Sequence, residues 1–198
     1  MENLAWMRPA FATGPAAVLL AFTLGVWTLI EIRQSLNRRA EATKADRGSL
    51  LGLRLWAVAG ALLAALALRV RTAAFPESAA VTAVGFLVMW SGIALRWWSF
   101  RTLGHYFTFA VMTSADQPVI STGPYAVLRH PSYLGILLIL GGLGLGYGNW
   151  LSLATLTLVP LIGFMYRIRV EEAALSKTLG PAYTTYAAGR KRLIPYVW

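Results

Sequence analysis

Tyr133-LGILLILGGLGLG-Tyr147, then Gly148-Asn149, then Trp150-LSLATLTLVPLIGFM-Tyr166: two apolar runs meet at a two-residue link. A helix crosses about 30 Å of hydrocarbon with roughly 20 apolar residues. Both runs approach that length, and so short a link folds them into a tight helical hairpin. The first run is the shorter of the two and is rich in glycine.

Outward from the hairpin, three further apolar runs precede it, at about Pro15–Ile32, Leu50–Leu68 and Ala79–Trp98. The third closes on Arg96, Trp97 and Trp98, a composition expected where a helix meets the headgroups. Between it and the hairpin lies a polar stretch from about Phe100 to Pro131. After Arg167 the chain is again polar, and helical as far as the break at Gly180-Pro181. The expected fold is all-α: a polytopic membrane protein with about five transmembrane helices. It forms one integral membrane domain over 1–198, with three helices in 1–99 and the hairpin and polar tail in 100–198.

Composition agrees. Of 198 residues, 57% are hydrophobic and 13% charged, against roughly a quarter charged in soluble domains. The formal net charge is +10, but the basic residues cluster between apolar runs. A nucleic-acid binder would spread them over one face, so no nucleic-acid partner is expected. The absence of cysteine excludes disulfides, thiolate zinc sites and cysteine nucleophiles. Two histidines are too few for a histidine-rich metal site, and no metal is expected. Residues 1–11 carry only Arg8 beside Glu2, and charge rather than a small-residue cleavage site follows the first run. The first run therefore reads as a retained membrane helix rather than a secretory signal.

Basic residues near span ends favour the cytoplasm. Arg33, Arg38, Arg39, Lys44 and Arg47 follow the first span; Arg167, Arg169, Lys177, Arg190, Lys191 and Arg192 follow the fifth. The loop after the second span has only Arg69 and Arg71. With five spans, the N-terminus lies outside, and the 100–131 loop and the C-terminus lie in the cytoplasm. Within the fourth run, Gly142, Gly144, Gly146 and Gly148 have the spacing of close helix–helix packing. They follow no strand and do not make G-x-G-x-x-G, so they bind no dinucleotide.

Two polar clusters stand at cytoplasmic span ends. In the first, Gly123 to Gly135, Pro131 suits the first turn of a helix, and His130 caps an N-terminus whose N–H groups can receive an anion. The plainer reading is an interfacial anchor of aromatic and basic residues. In the second, Arg167 and Glu171 are i, i+4 neighbours, in the order that stabilises an isolated helix less. Glu171 and Glu172 point about 100° apart and can hold two different partners. The plainer reading is a surface salt bridge.

The combined pattern G-P-Y-x-x-x-R-H-P-x-Y-x-G, then R-x-x-x-E-E, then Gly180, Tyr183, Tyr186 and Arg192-Leu193-Ile194-Pro195 resembles the isoprenylcysteine carboxyl methyltransferase family. The resemblance covers about Leu103 to Pro195. It implies that 100–198 is a catalytic half with a cytoplasmic cofactor-binding region. It implies S-adenosylmethionine as cofactor, held by Gln117, Pro118, Val119, Ile120, Tyr125, His130, Pro131, Ser132, Tyr133 and Glu171. Arg167 matches the arginine that meets the substrate carboxylate. The implied substrate is lipophilic and prenyl-type, entering from the bilayer.

Methyl transfer to a carboxylate needs no general base, because the nucleophile is already ionised. Alignment and exclusion of water carry it. A phospholipid or amine N-methyltransferase on the same architecture would need a base, and Glu172 is the candidate. A sterol-type reductase would need NADPH, and a non-catalytic membrane scaffold would bind neither cofactor.

Overall fold

The computed structural model describes residues 11, 14–36, 43–44, 48–75, 78–109, 112–113, 117–195 and 197–198. Arg8 and the basic residues Arg38, Arg39 and Arg47 lie outside the described residues. Among the described residues, six α-helices follow one another: α1 (Gly14–Ser35), α2 (Ser49–Ala67), α3 (Ala79–Leu103), α4 (Pro131–Gly146), α5 (Trp150–Leu179) and α6 (Pro181–Ala188). Two short segments, β1 (Thr43–Lys44) and β2 (Met112–Thr113), pair antiparallel.

The helix starts follow local chemistry. The Ser78 hydroxyl accepts the Val81 N–H at 3.1 Å to open α3. Asn149 does the same for Ser152 at 3.0 Å to open α5. Pro131 occupies the first position of α4, where its missing N–H costs nothing. Gly180, with φ of 55°, ends α5 and leads into Pro181 at the start of α6. A side chain there would be strained.

Four of the described helices, α1, α2, α3 and α5, are long and apolar enough to cross a membrane. The fourth expected span, α4, has 16 residues, about 24 Å at 1.5 Å per residue. Helix α5 runs unbroken for 30 residues, about 45 Å. Its apolar part ends near Tyr166, and the charged part from Arg167 to Leu179 stands beyond it.

Helix α3 packs along α4, α2 along α5, and α4 against α5. The first contact is glycine-dependent. A Cβ on Gly92 would lie 2.5 Å from the carbonyl oxygen of Gly135, and one on Gly135 2.8 Å from that of Gly92. The expected packing role of the fourth run holds with a division of labour. Gly142 meets Gly85 and Met89 of α3, Gly144 meets Leu153 of α5, and Gly148 makes the hairpin turn at φ of 63°. The buried cluster of Phe11, Phe86, Met89, Ile93 and Ile139 fills the α3–α4 seam. Val18, Phe22, Leu55, Leu62, Leu87 and Leu158 face outward, as a lipid-facing surface requires.

The turn end of the hairpin is closed by neutral groups. Asn149 Nδ2 donates to the carbonyls of Ala67 and Val70, at 3.1 and 3.3 Å, and Ser152 Oγ to that of Ala64 at 2.8 Å. The end of α1, the start of α2, the end of α3 and the start of α4 gather at the other end, beside the charged part of α5.

Candidate active site

At that second end a cleft of about 870 Å³, partly open to solvent, lies between the start of α4, the charged part of α5, α6 and the segments 106–108 and 117–120. Of the ten residues expected to hold a cofactor, nine line it. Gln117, Pro118, Val119 and Ile120 form one wall, Tyr125 the floor turn, His130, Ser132 and Tyr133 the start of α4, and Glu171 the α5 side. Pro131 does not: it is fully buried at the first position of α4. Arg167 also lines the cleft.

Glu172, expected beside the site as a candidate base, does not line it. One residue on from Glu171, it is rotated about 100° around α5. It accepts hydrogen bonds from Arg129 Nη1 at 2.8 Å and Arg192 Nε at 3.0 Å, and lies 3.2 Å from His130 Nε2. Burial alone would raise this carboxyl. The hydrogen bond and charge of His130, with Arg192 and Arg129, outweigh it and hold Glu172 below the ordinary carboxylate range. The acid thus fastens the tail: the Arg129 and His130 N–H groups donate to the carbonyls of Lys191 and Arg192, at 2.8 and 2.9 Å.

Arg167 and Glu171, expected as helix neighbours, are joined by a third residue. Arg167 Nε donates to the Tyr133 hydroxyl at 2.9 Å, and that hydroxyl donates to Glu171 Oε2 at 2.6 Å. Arg167 is buried, and its other nitrogens donate to Ser49 Oγ at 2.9 Å and to the Phe109 carbonyl. Tyr133 is stacked between His130 and Phe164, with ring centroids 5.5 and 5.0 Å away. Four elements therefore converge on one hydroxyl's surroundings.

Several cleft residues were not assigned from the sequence. Tyr183 and Tyr186 belong to the G-x-x-Y-x-x-Y pattern, and that pattern was the available signal. Tyr186 donates to the Tyr125 carbonyl at 3.0 Å. Burial raises Tyr125 and Tyr183 well above the usual phenol value and pushes Tyr186 up to about 12. All three are neutral hydroxyls; the Tyr183 and Tyr186 rings meet at 5.9 Å, and the Arg190 guanidinium lies 4.5 Å over the Tyr186 ring. Tyr106, Phe107 and Thr108 line the opposite wall, with no motif to mark them.

Arg96 departs from expectation. Trp97 and Trp98 are 47% and 50% exposed, as an interfacial end requires, but Arg96 is 4% exposed. It faces the opposite side of α3 and pairs with Glu31 of α1 through Nε and, at 2.8 Å, Nη2.

Compared with known proteins, residues 83–177 match the family described as isoprenylcysteine carboxyl methyltransferase (ICMT). That segment belongs to the family. It contains the ten cofactor candidates with Arg167 and Glu172, but not Tyr183 or Tyr186; α1 and α2 precede it. Among curated relatives, the protein-S-isoprenylcysteine O-methyltransferase of Saccharomyces cerevisiae is 36% identical over 107 residues, 53% of this chain and 45% of the relative. That of Tribolium castaneum is 31% identical over 116 residues, 58% of this chain and 41% of the relative. This chain thus spans less than half the length of either. A solved structure of the eukaryotic intramembrane Ras methyltransferase ICMT superposes with a TM-score of 0.60 at 21% identity, covering 92% of this chain and 65% of that one. The fold is that of this membrane family, and the chain is an integral membrane protein.

Proposed function

We infer that this chain is an S-adenosylmethionine-dependent methyltransferase acting on the carboxylate of a lipophilic, isoprenylcysteine-type acceptor. The observation that carries the reading is the Arg167–Tyr133–Glu171 chain of hydrogen bonds, set in a cleft at the end of an apolar bundle. Arginine presents the planar fork that suits a carboxylate. Glu171, whose side chain is 29% exposed, offers an acceptor to a cationic or hydroxyl-bearing ligand. The residues present fit the methyl donor: a carboxylate, Glu171, for its cationic part, neutral tyrosines lining the cleft for its planar base, and the start of α4 for its carboxylate.

S-adenosylmethionine supplies an electrophilic methyl group. The protein's own work is to orient and to exclude water. Arg167, fixed by Tyr133 and Ser49, holds the acceptor carboxylate in one direction. Glu171, Tyr125, His130 and Tyr133 with residues 117–120 would hold the donor. No proton need be taken up, which agrees with a Glu172 occupied by cations and turned from the cleft. An amine acceptor would need that base; neither it, the reductase reading nor the scaffold reading draws support from the relatives or from the cleft. The basic residues near the cleft end favour placing that end in the cytoplasm, with the N-terminus outside.

The test is calorimetric titration of S-adenosylmethionine into detergent-purified protein, with His130→Ala and NADPH as controls, followed by methyl transfer to a prenylated cysteine acceptor. Saturable binding weakened at least tenfold in the variant, with transfer to the acceptor, is the expected result. A folded protein that binds no S-adenosylmethionine, or binds NADPH instead, overturns the reading.

A further inference from the structure

The family segment begins at residue 83, yet one buried arginine at the cleft end of the bundle has its carboxylate partner on α1. Arg96 gives Nε and Nη2 to Glu31. Its remaining nitrogen, Nη1, donates to Ser132 Oγ at 2.6 Å and to the Ser132 carbonyl at 3.2 Å. Ser132 lines the cleft, and the next residue, Tyr133, bridges Arg167 and Glu171. Arg96 also lies 4.6 Å over the Phe100 ring, which packs at 4.3 Å against Phe107 of the opposite wall. One turn along α1 from Glu31, Gln34 Nε2 donates to the Phe107 carbonyl at 3.3 Å. Trp27, one turn back, donates Nε1 to Glu31 at 2.9 Å.

An ionisable pair within membrane helices is costly, and such groups as a rule serve a site. A tether between α1 and α3 does not call for charge, because apolar packing replaces a buried pair without loss of stability in many proteins. What apolar packing does not replace is the pair of directed donors on Ser132.

We propose that α1 is a template for the cleft: Glu31 aims Arg96 at Ser132 and so fixes the first turn of α4, while Gln34 holds Phe107 across from it. Both are positioning residues. For methyl transfer this rests on the function proposed above; the control of the first turn of α4 does not.

The experiment uses the full chain in detergent, as wild type and as the double variant E31L/R96M, in which both charges are removed together so that none is left buried and unpaired. E31Q is the companion. Three quantities are read: the melting temperature, hydrogen–deuterium exchange over residues 130–136, and the KM for S-adenosylmethionine set against kcat. The expected result is a double variant that melts close to wild type, exchanges at least tenfold faster over 130–136, and has KM raised about tenfold with kcat within about threefold. E31Q shows the same exchange and KM changes with a lower melting temperature. If the double variant is folded and its exchange is unchanged, or its KM does not move, the template role is wrong. A wild type that binds no S-adenosylmethionine sinks the proposed function instead, and the exchange measurement alone then decides the role of α1. Should the double variant not fold, E31Q decides by the same two readouts.

Discussion

At the hairpin end of the bundle, Asn149 and Ser152 tie α5 to the carbonyls of Ala64, Ala67 and Val70. At the cleft end, α5 is tied to α2 and α4 through Arg167 with Ser49 and Tyr133, and α3 to α1 and α4 through Arg96 with Glu31 and Ser132. Both ends satisfy buried polar groups. Among the described residues, the buried charged side chains Arg96 and Arg167 stand at the cleft end, and burying charge costs several kcal/mol per ion before partners offset it. Neutral amide and hydroxyl groups suffice to close this architecture, so the arginines at the other end answer to something besides closure. The comparison separates residues that hold helices together from residues that hold a ligand, and each can be tested on that distinction.

The largest effect is expected at Arg167. Replacing it by alanine removes the carboxylate fork and frees the Tyr133 hydroxyl from its cationic partner. Turnover should fall by about a thousandfold or more, the range over which loss of orientation acts. Binding of S-adenosylmethionine, measured by calorimetry on the folded variant, should weaken by less than about tenfold, because Glu171 and Tyr133 remain. A variant that keeps its turnover, or loses donor binding altogether, would place Arg167 elsewhere in the reaction.

A smaller and different effect is expected at Glu172, which belongs to the cleft end but acts as closure does. Glu172→Gln weakens the hold on Arg129, His130 and Arg192 and so on residues 190–193, costing about 2 kcal/mol. The thermal midpoint should drop while kcat stays within about tenfold. A collapse of kcat in a protein with native spectra would restore the base role and with it an amine acceptor. The pH sign follows from the lowered carboxyl. Its stabilising contribution is present above the unfolded carboxyl value, about 4.3, and is lost as pH falls through the folded value. Acid should therefore loosen the tail in wild type and have less effect on the variant.

Legibility in the sequence followed the same division. Helices and their hairpin are local matters of apolar length and turn residues, and Pro15–Ile32, Leu50–Leu68 and Trp150 onward read close to their observed bounds. The fourth run falls short of a full span: it starts at Pro131, ends at Gly146 and holds five glycines, of which Gly135 and Gly142 abut α3 and Gly144 abuts α5. Nine cofactor candidates line one cleft; three of them, His130, Ser132 and Tyr133, come from R-H-P-x-Y, a continuous segment at a helix start, and the other six come from the wider family pattern. What local spacing did not carry is what crosses the bundle. The Tyr133 hydroxyl enters between Arg167 and Glu171 from α4, and Ser49 reaches Arg167 from α2. Arg96 looked interfacial beside two tryptophans, since its partner lies 65 residues away on α1. Glu172 read as a candidate base, because the arginines that hold it, Arg129 and Arg192, come from other elements.

The smallest effect on chemistry is expected at Asn149, and it is the one that tests the comparison from the neutral side. Its side chain makes three hydrogen bonds, one capping α5 and two to α2 and the residues after it. Alanine there removes the cap, worth about 1 kcal/mol, and two hydrogen bonds to the carbonyls of Ala67 and Val70, which keep the Val70 and Ala73 N–H groups as donors, at about 0.5–1.5 kcal/mol each. The stability loss should thus equal or exceed that of Glu172→Gln. If the hairpin end is closure alone, turnover per folded molecule and the KM for S-adenosylmethionine should both stay within about twofold of wild type. A KM shift of tenfold from a substitution at the far end would mean that the bundle transmits the state of its turn to the cleft. The charged end would then no longer be separable from the neutral one.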